Sequence, residues 1–172
     1  MKRISGITRF INIFLIIGIT SFNIAVAQSG KKPNETSKEA VIKSLVDSQN
    51  FVFVPQLVSP MRGSSRQLTS YYDLRMSQDT LISYLPYFGR AQVAPVDPTK
   101  NSLDFTSTDF EYTKTVNKKG GWDILIKPKD QRDVQQLSFR IFDNGSASLG
   151  VASANRDPIT FQGYITEKKR KR

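Results

Sequence analysis

Residues 137–151, LSFRIFDNGSASLGV, decide how this chain folds. Leu137, Phe139 and Ile141 alternate with Ser138, Arg140 and Phe142. A period of two places the three apolar side chains on one face of a β-strand. Asp143-Asn144-Gly145 then interrupts the pattern, and Asn and Gly accept the positive φ that tight hairpin turns demand. Ala147, Leu149 and Val151 resume the alternation beyond it. The stretch therefore reads as two antiparallel strands with one buried face.

The same reading extends in both directions. Leu74 and Met76 continue from Tyr72, each separated by a polar residue, and Leu81 opens a strand that reaches Leu85. Leu103 and Phe105, then Phe110 and Tyr112, alternate with polar neighbours. Asn117 to Gly121, NKKGG, makes a turn into Trp122, Ile124 and Ile126. Ile159, Phe161, Gly163 and Ile165 share one face of a last strand. Phe51-Val52-Phe53-Val54 is a short apolar run that Pro55 is expected to close. Seven to nine strands with short turns form one mainly β, antiparallel system, a barrel or a sandwich, because open edges invite aggregation. One helix precedes it. Thr36 and Glu39 have capping-box spacing, Val41, Ile42, Leu45 and Val46 form an apolar face, and the helix is expected to end near Asn50.

The ends of the chain carry a different signal. Lys2, Arg3 and Arg9 precede the apolar run Phe10 to Ile19, and Ala25-Val26-Ala27 offers a small-residue cleavage site. Residues 1–27 read as a signal peptide, removed after Ala27, with the membrane met only during export. The mature chain is expected in the periplasm or secreted. Residues 28–35 read as a linker, residues 36–166 as a single domain, and residues 167–172 (EKKRKR) as a basic tail. Of the 25 Lys and Arg, three lie in the signal and five in the tail, so the +10 formal charge is concentrated outside the domain. The tail reads as a solvated end. It holds no aromatic to stack a base, and no nucleic-acid partner is expected.

Residue counts exclude much chemistry. The chain has no His and no Cys, hence no imidazole base, no cysteine nucleophile, no disulfide and no zinc site of the usual kind. Neither a phosphate-cradling GxxxxGK[ST] nor a dinucleotide GxGxxG occurs. No cofactor or metal is expected. Asp109 and Glu111 stand two apart, as paired carboxylates on one strand face would, but opposite Phe110 and Tyr112 they read as the solvent face of an amphipathic strand.

The densest cluster of binding-type residues is YLPYFGRA, residues 84–91. Pro86 fixes φ and Gly89 admits a sharp turn, so the segment reads as a strand exit with aromatics tucked beneath it. Arg90 is placed to stack on Tyr84 or Tyr87, or to pair with an acid. A second arginine, Arg156, follows Asn155 in ANRDPITFQG, residues 154–163. Together with the exported start, GWDILI and NGSASLGV, these motifs make the chain from about Asn50 to Ile165 resemble the family of domain of unknown function 4251, short exported proteins mainly of Bacteroidota. The resemblance implies a lipocalin-like barrel and no activity. It marks Tyr84, Tyr87, Phe88, Arg90, Asn155 and Arg156 as signature residues and therefore as candidate binding residues.

The expected function is a non-enzymatic periplasmic binding or structural barrel. Its interior is either filled by side chains or holds a small apolar ligand, and a mouth lined by Tyr84, Tyr87, Arg90 and Arg156 would take an anionic one. The alternative is an envelope-associated interaction or inhibitor module that uses the aromatic-Arg patch on an envelope component. A carboxylate-based hydrolase ranks last.

Overall fold

The computed structural model describes residues 33–91, 102–118 and 120–168. The signal peptide, linker residues 28–32 and tail residues 169–172 lie outside the described residues. Helix α1 spans Pro33–Asp47. Ten strands follow: β1 Phe51–Pro60, β2 Arg66–Gln67, β3 Asp73–Met76, β4 Leu81–Pro86, β5 Ser102–Ser107, β6 Phe110–Val116, β7 Trp122–Pro128, β8 Val134–Ile141, β9 Ser146–Ser153 and β10 Ile159–Thr166.

Helix α1 begins three residues before the expected cap at Thr36, so its first turn takes in the end of the stretch read as a linker. Proline suits the first helical position, where its missing N–H leaves no bond unmade. The helix stops at Asp47 rather than near Asn50. Gln49 adopts a left-handed φ of 52°, and the Asn50 amide donates to the Leu45 carbonyl at 3.1 Å, which caps the helix end. Ile42 and Val46 are buried and Leu45 packs against the core, but Val41 turns to solvent. The buried face is narrower than the four-residue stripe expected, because one helix meets one barrel end.

The sheet runs β5-β4-β3-β1-β10-β9-β8-β7-β6, every neighbour antiparallel, as a nearly closed barrel of nine strands. The two-residue β2 lies off this path and pairs with β1. It shows no alternation and left no mark in the sequence pattern. The wall opens between β5 and β6, which are joined by a short turn yet do not pair. The loop after β7 stitches this seam. The Asp130 carboxylate accepts from the Ser107 hydroxyl at 2.5 Å and the Thr108 amide at 2.9 Å, and the Gln131 side chain donates to the Thr106 carbonyl at 2.9 Å. The Ser107 hydrogen bond is the main cause holding the Asp130 carboxyl below its ordinary pKa.

The interior is filled. Phe139 on β8 meets Phe51 and Phe53 on β1 edge to face, with centroids 5.9 and 5.4 Å apart. Strands β10 and β9 separate β1 from β8 in the wall. Neighbouring strands stand about 4.8 Å apart, so the three rings can touch only across the barrel's inside. Phe161, Leu74, Met76, Leu137, Ile141 and Leu149 complete a core without solvent exposure. On β6 the residues packed against the core are Phe110 and Tyr112, which pair with Pro128 and Ile126. Burial beside the open seam pushes the Tyr112 phenol up to about 12.

Helix α1 packs at one end. Ile42 sits against Gly145, where a Cβ would come within 2.7 Å of the Ile42 side chain. Gly145 also holds φ at +84°, so the DNG turn needs glycine for both reasons. Asp47 is bound by Lys43 at 2.5 Å and by Lys114 of β6 at 2.6 Å, which hold its carboxyl below the usual value.

Pro55 does not close β1. The strand continues to Pro60, and its register against β10 shifts between Pro55 and Leu57. A bulge is where a strand tolerates proline. Gly163 lies opposite Pro55, and a Cβ on it would overlap the Val54 carbonyl and crowd the Pro55 backbone. The obstructing atoms are main chain and cannot move aside cheaply. Gly163→Ala is therefore expected to destabilise the fold by about 2–3 kcal/mol in urea denaturation, whereas Gly150→Ala, whose added Cβ meets only an ordinary contact, is not expected to show an overlap cost.

Candidate functional site

The signature residues are brought to one end of the barrel but do not form one patch. Tyr87 is buried. Its hydroxyl donates to the Arg90 carbonyl at 2.8 Å and also lies 3.0 Å from the Asp157 carbonyl. The Asp157 amide donates to the same Arg90 carbonyl at 3.0 Å, and Ala91 bridges Arg156. The segment after β4 is thus fastened to the β9–β10 connection through one tyrosine. Gly89 is required by this arrangement, since a Cβ would fall on the Tyr87 hydroxyl. Burial is the main cause that raises the Tyr87 pKa.

Arg156, rather than Arg90, stacks on Tyr87, with its guanidinium 5.1 Å from the ring centre. It also pairs with Asp133 at 3.0 Å and donates to the Ser102 carbonyl at 3.4 Å. It ties β5, the loop before β8 and the Tyr87 turn together. Arg90 and Asn155 are exposed. Phe88 is exposed and is met by Arg66 at 5.5 Å. Tyr84 points to the opposite face of β4 and stacks at 5.6 Å on Tyr72. The mouth of Tyr84, Tyr87, Arg90 and Arg156 weighed in the sequence therefore does not assemble: two of its members face inward as a clasp and two face outward. Glu111 is exposed and pairs with Lys129 at 3.1 Å, while Asp109 lies in the turn before β6 and not on the strand.

A different set of residues builds a groove of about 690 Å³ on the outer face of β3, β1 and β10. Its floor follows from FVFV. Phe51 and Phe53 point inward, so Val52 and Val54 point outward, and an outward position that is apolar leaves a dry strip on the surface. Register then sets two cross-strand rows. Arg75, Val52 and Thr166 form one. The same register continues Asp73, Val54 and Tyr164 as the other, with Tyr84 beyond Asp73.

Asp73 is the group out of place in such a row. Its side chain is only 3% exposed. The Arg75 guanidinium donates to its Oδ2 at 2.7 Å, and the Tyr71 hydroxyl donates to the same oxygen at 3.1 Å. Burial is the main cause that raises the Tyr71 phenol pKa, with the Asp73 charge next. The Tyr71 and Tyr164 rings stand proud, 67% and 41% exposed. Both also line a second trough of about 300 Å³ that runs on past Val54 towards Gln67 and Tyr72. The site is thus an elongated furrow with an apolar floor, aromatic walls, and one ion pair set into it. The signal in the sequence was the lack of polar residues between Phe51 and Phe53 and after it.

Among the described residues no three His, Cys, Asp or Glu side chains gather as a metal site requires, and no helix is long and apolar enough to cross a membrane. The clasp and the exposed arginine separate in their expected effects. Tyr87→Phe removes the shared hydrogen and is expected to cost about 1–2 kcal/mol, whereas Arg90→Ala, at an exposed site, is expected to stay within about 0.5 kcal/mol of the parent in the same urea denaturation.

No curated protein matches the chain. Among solved structures, the crystal structure of a DUF4251 family protein from Bacteroides eggerthii superimposes with a TM-score of 0.57 at 13% identity, over 76% of this chain and 88% of that one. At that identity the likeness concerns the fold alone. The family described as Domain of unknown function (DUF4251) matches residues 34–165. This match takes in the capped helix, the Tyr87 clasp and every strand of the wall but the last residue of β10, and the chain belongs to the DUF4251 family.

Proposed function

We propose that this protein is an exported, non-enzymatic binding module of the cell envelope, and that it binds on the outside of its barrel rather than within it. The observation that carries the reading is the contrast between the two sides of β1. On the inner side Phe51 and Phe53 pack edge to face on Phe139, and all three are buried. On the outer side Val52 and Val54 floor a furrow of about 690 Å³, within the range of small-ligand sites at roughly 300–1,000 Å³.

The reading keeps the aromatic-Arg interaction module expected from the sequence and moves it. Tyr71, Tyr164 and Arg75 replace Tyr87, Arg90 and Arg156 as the binding side chains. Tyr and Arg are the residues that binding surfaces favour, because each buries much area with few torsions lost. Export is supported by Lys2, Arg3, the apolar run Phe10 to Ile19 and the Ala25-Val26-Ala27 site. The absence of His and Cys removes the commonest nucleophile and base pairs.

Heteronuclear NMR tests the location. Titrating the protein, begun at Gln28 as signal removal would leave it, with a soluble envelope extract is expected to shift the amides of Asn50, Val52, Val54, Arg75 and Tyr164. Shifts confined to the interior positions Phe51, Phe53 and Phe139, or to Ala91 and Asn155, would refute the outer-face reading.

A further inference from the structure

The furrow has a charge balance that narrows what it can hold. Asp73 is matched by Arg75, and at the far end Glu167 is followed by Lys168. A small anion meets the Asp73 carboxylate, and a cation meets the Arg75 guanidinium, so neither sign gains a net partner. A wholly apolar chain would take water from the Arg75 guanidinium, whose side chain is 45% exposed, and return no hydrogen bond to it. The lining wants a neutral ligand that is both ring-like and rich in hydroxyls.

Two further features point the same way. The donors to Asp73 converge on Oδ2, and among the described residues Oδ1 receives none. A carboxylate oxygen held this way accepts a hydrogen bond from a hydroxyl that enters the furrow. The Tyr71 and Tyr164 rings offer negative π-faces to polarised C–H groups. Their placement matters as much as their type. Both line the 690 Å³ trough and the 300 Å³ trough, so an occupant that passes between them has room on either side. An extended chain of several units fits this better than one compact molecule.

We propose that the outer furrow binds a neutral oligosaccharide chain, with sugar rings against Tyr71 and Tyr164 and vicinal hydroxyls on Asp73 and Arg75. This rests on the reading that the furrow is the binding site. Asp73 is the positioning centre: it fixes Arg75 and Tyr71 and keeps one oxygen for the ligand.

Isothermal titration with cellohexaose, xylohexaose and maltohexaose tests the class. Saturable binding of at least one is expected. Tyr164→Ala is expected to weaken it about tenfold, the scale of one aromatic contact, and Tyr164→Phe to restore it, because the ring and not the hydroxyl makes the contact. Val116→Ala, on an exposed residue of β6, is expected to leave it unchanged. Binding of an oligogalacturonate or of an apolar hexapeptide in place of all three sugars would overturn the assignment. So would sugar binding that Tyr164→Ala leaves intact. If no neutral sugar binds while the envelope extract still shifts Val52, Val54 and Tyr164, the glycan assignment fails and the site stands. If the extract shifts none of them, the site itself fails.

Discussion

Phe139 wedged between Phe51 and Phe53 is the constraint from which the rest of this protein follows. The rings come from strands with two others between them in the wall, and they meet edge to face across the inside of the barrel. Each such contact adds about 0.5–1.5 kcal/mol to what burial alone contributes. More to the point, the rings fix the barrel's width. A wall drawn in upon a solid aromatic core does not need every edge paired, and β5 and β6 are left apart. Side chains of the loop after β7 fasten this end instead: Asp130 holds Ser107 and Thr108, and Gln131 holds the Thr106 carbonyl.

A filled interior moves the question of function to the surface. The strand that supplies two of the three rings also supplies the floor of the outer furrow, because consecutive residues of β1 face opposite ways. Val52 and Val54 face the furrow for the same geometric reason that Phe51 and Phe53 face the core. The Tyr87 clasp belongs to the other part of the account. It joins two connections that would otherwise fray at the end of the barrel, and its density of aromatic residues is explained by the turn it must close. The binding candidates and the architectural residues are both rich in Tyr and Arg, and only burial and register tell them apart.

Much of the fold was legible in the sequence because period-two alternation is a local property. The hairpin at Asn144-Gly145, the strands from Leu81 to Pro86 and from Trp122 to Pro128, and the family itself were all available from short windows. Pro55 misled because its tolerance is not local: the bulge that admits it depends on Gly163, more than a hundred residues away in the chain. Proximity in sequence made Arg90 a candidate to stack on Tyr84 or Tyr87 or to pair with an acid, whereas the residue that stacks on Tyr87 is Arg156, brought in by the β9–β10 connection. The furrow was missed for the same reason. Tyr71, Asp73, Arg75 and Tyr164 look like ordinary strand-end residues until β3 and β10 are placed on either side of β1. The apolar outward positions in FVFV were visible, and they were the one hint that this strand is covered or used on both faces.

The claim at the centre of this account is that the barrel has no vacant interior, and the uptake of an apolar fluorescent probe tests it most directly. Titration of the folded protein with N-phenyl-1-naphthylamine should give no saturable rise in fluorescence, because Phe51, Phe53 and Phe139 occupy the space such a probe would need. A saturable rise that Phe139→Trp abolishes would show an interior site and contradict the account.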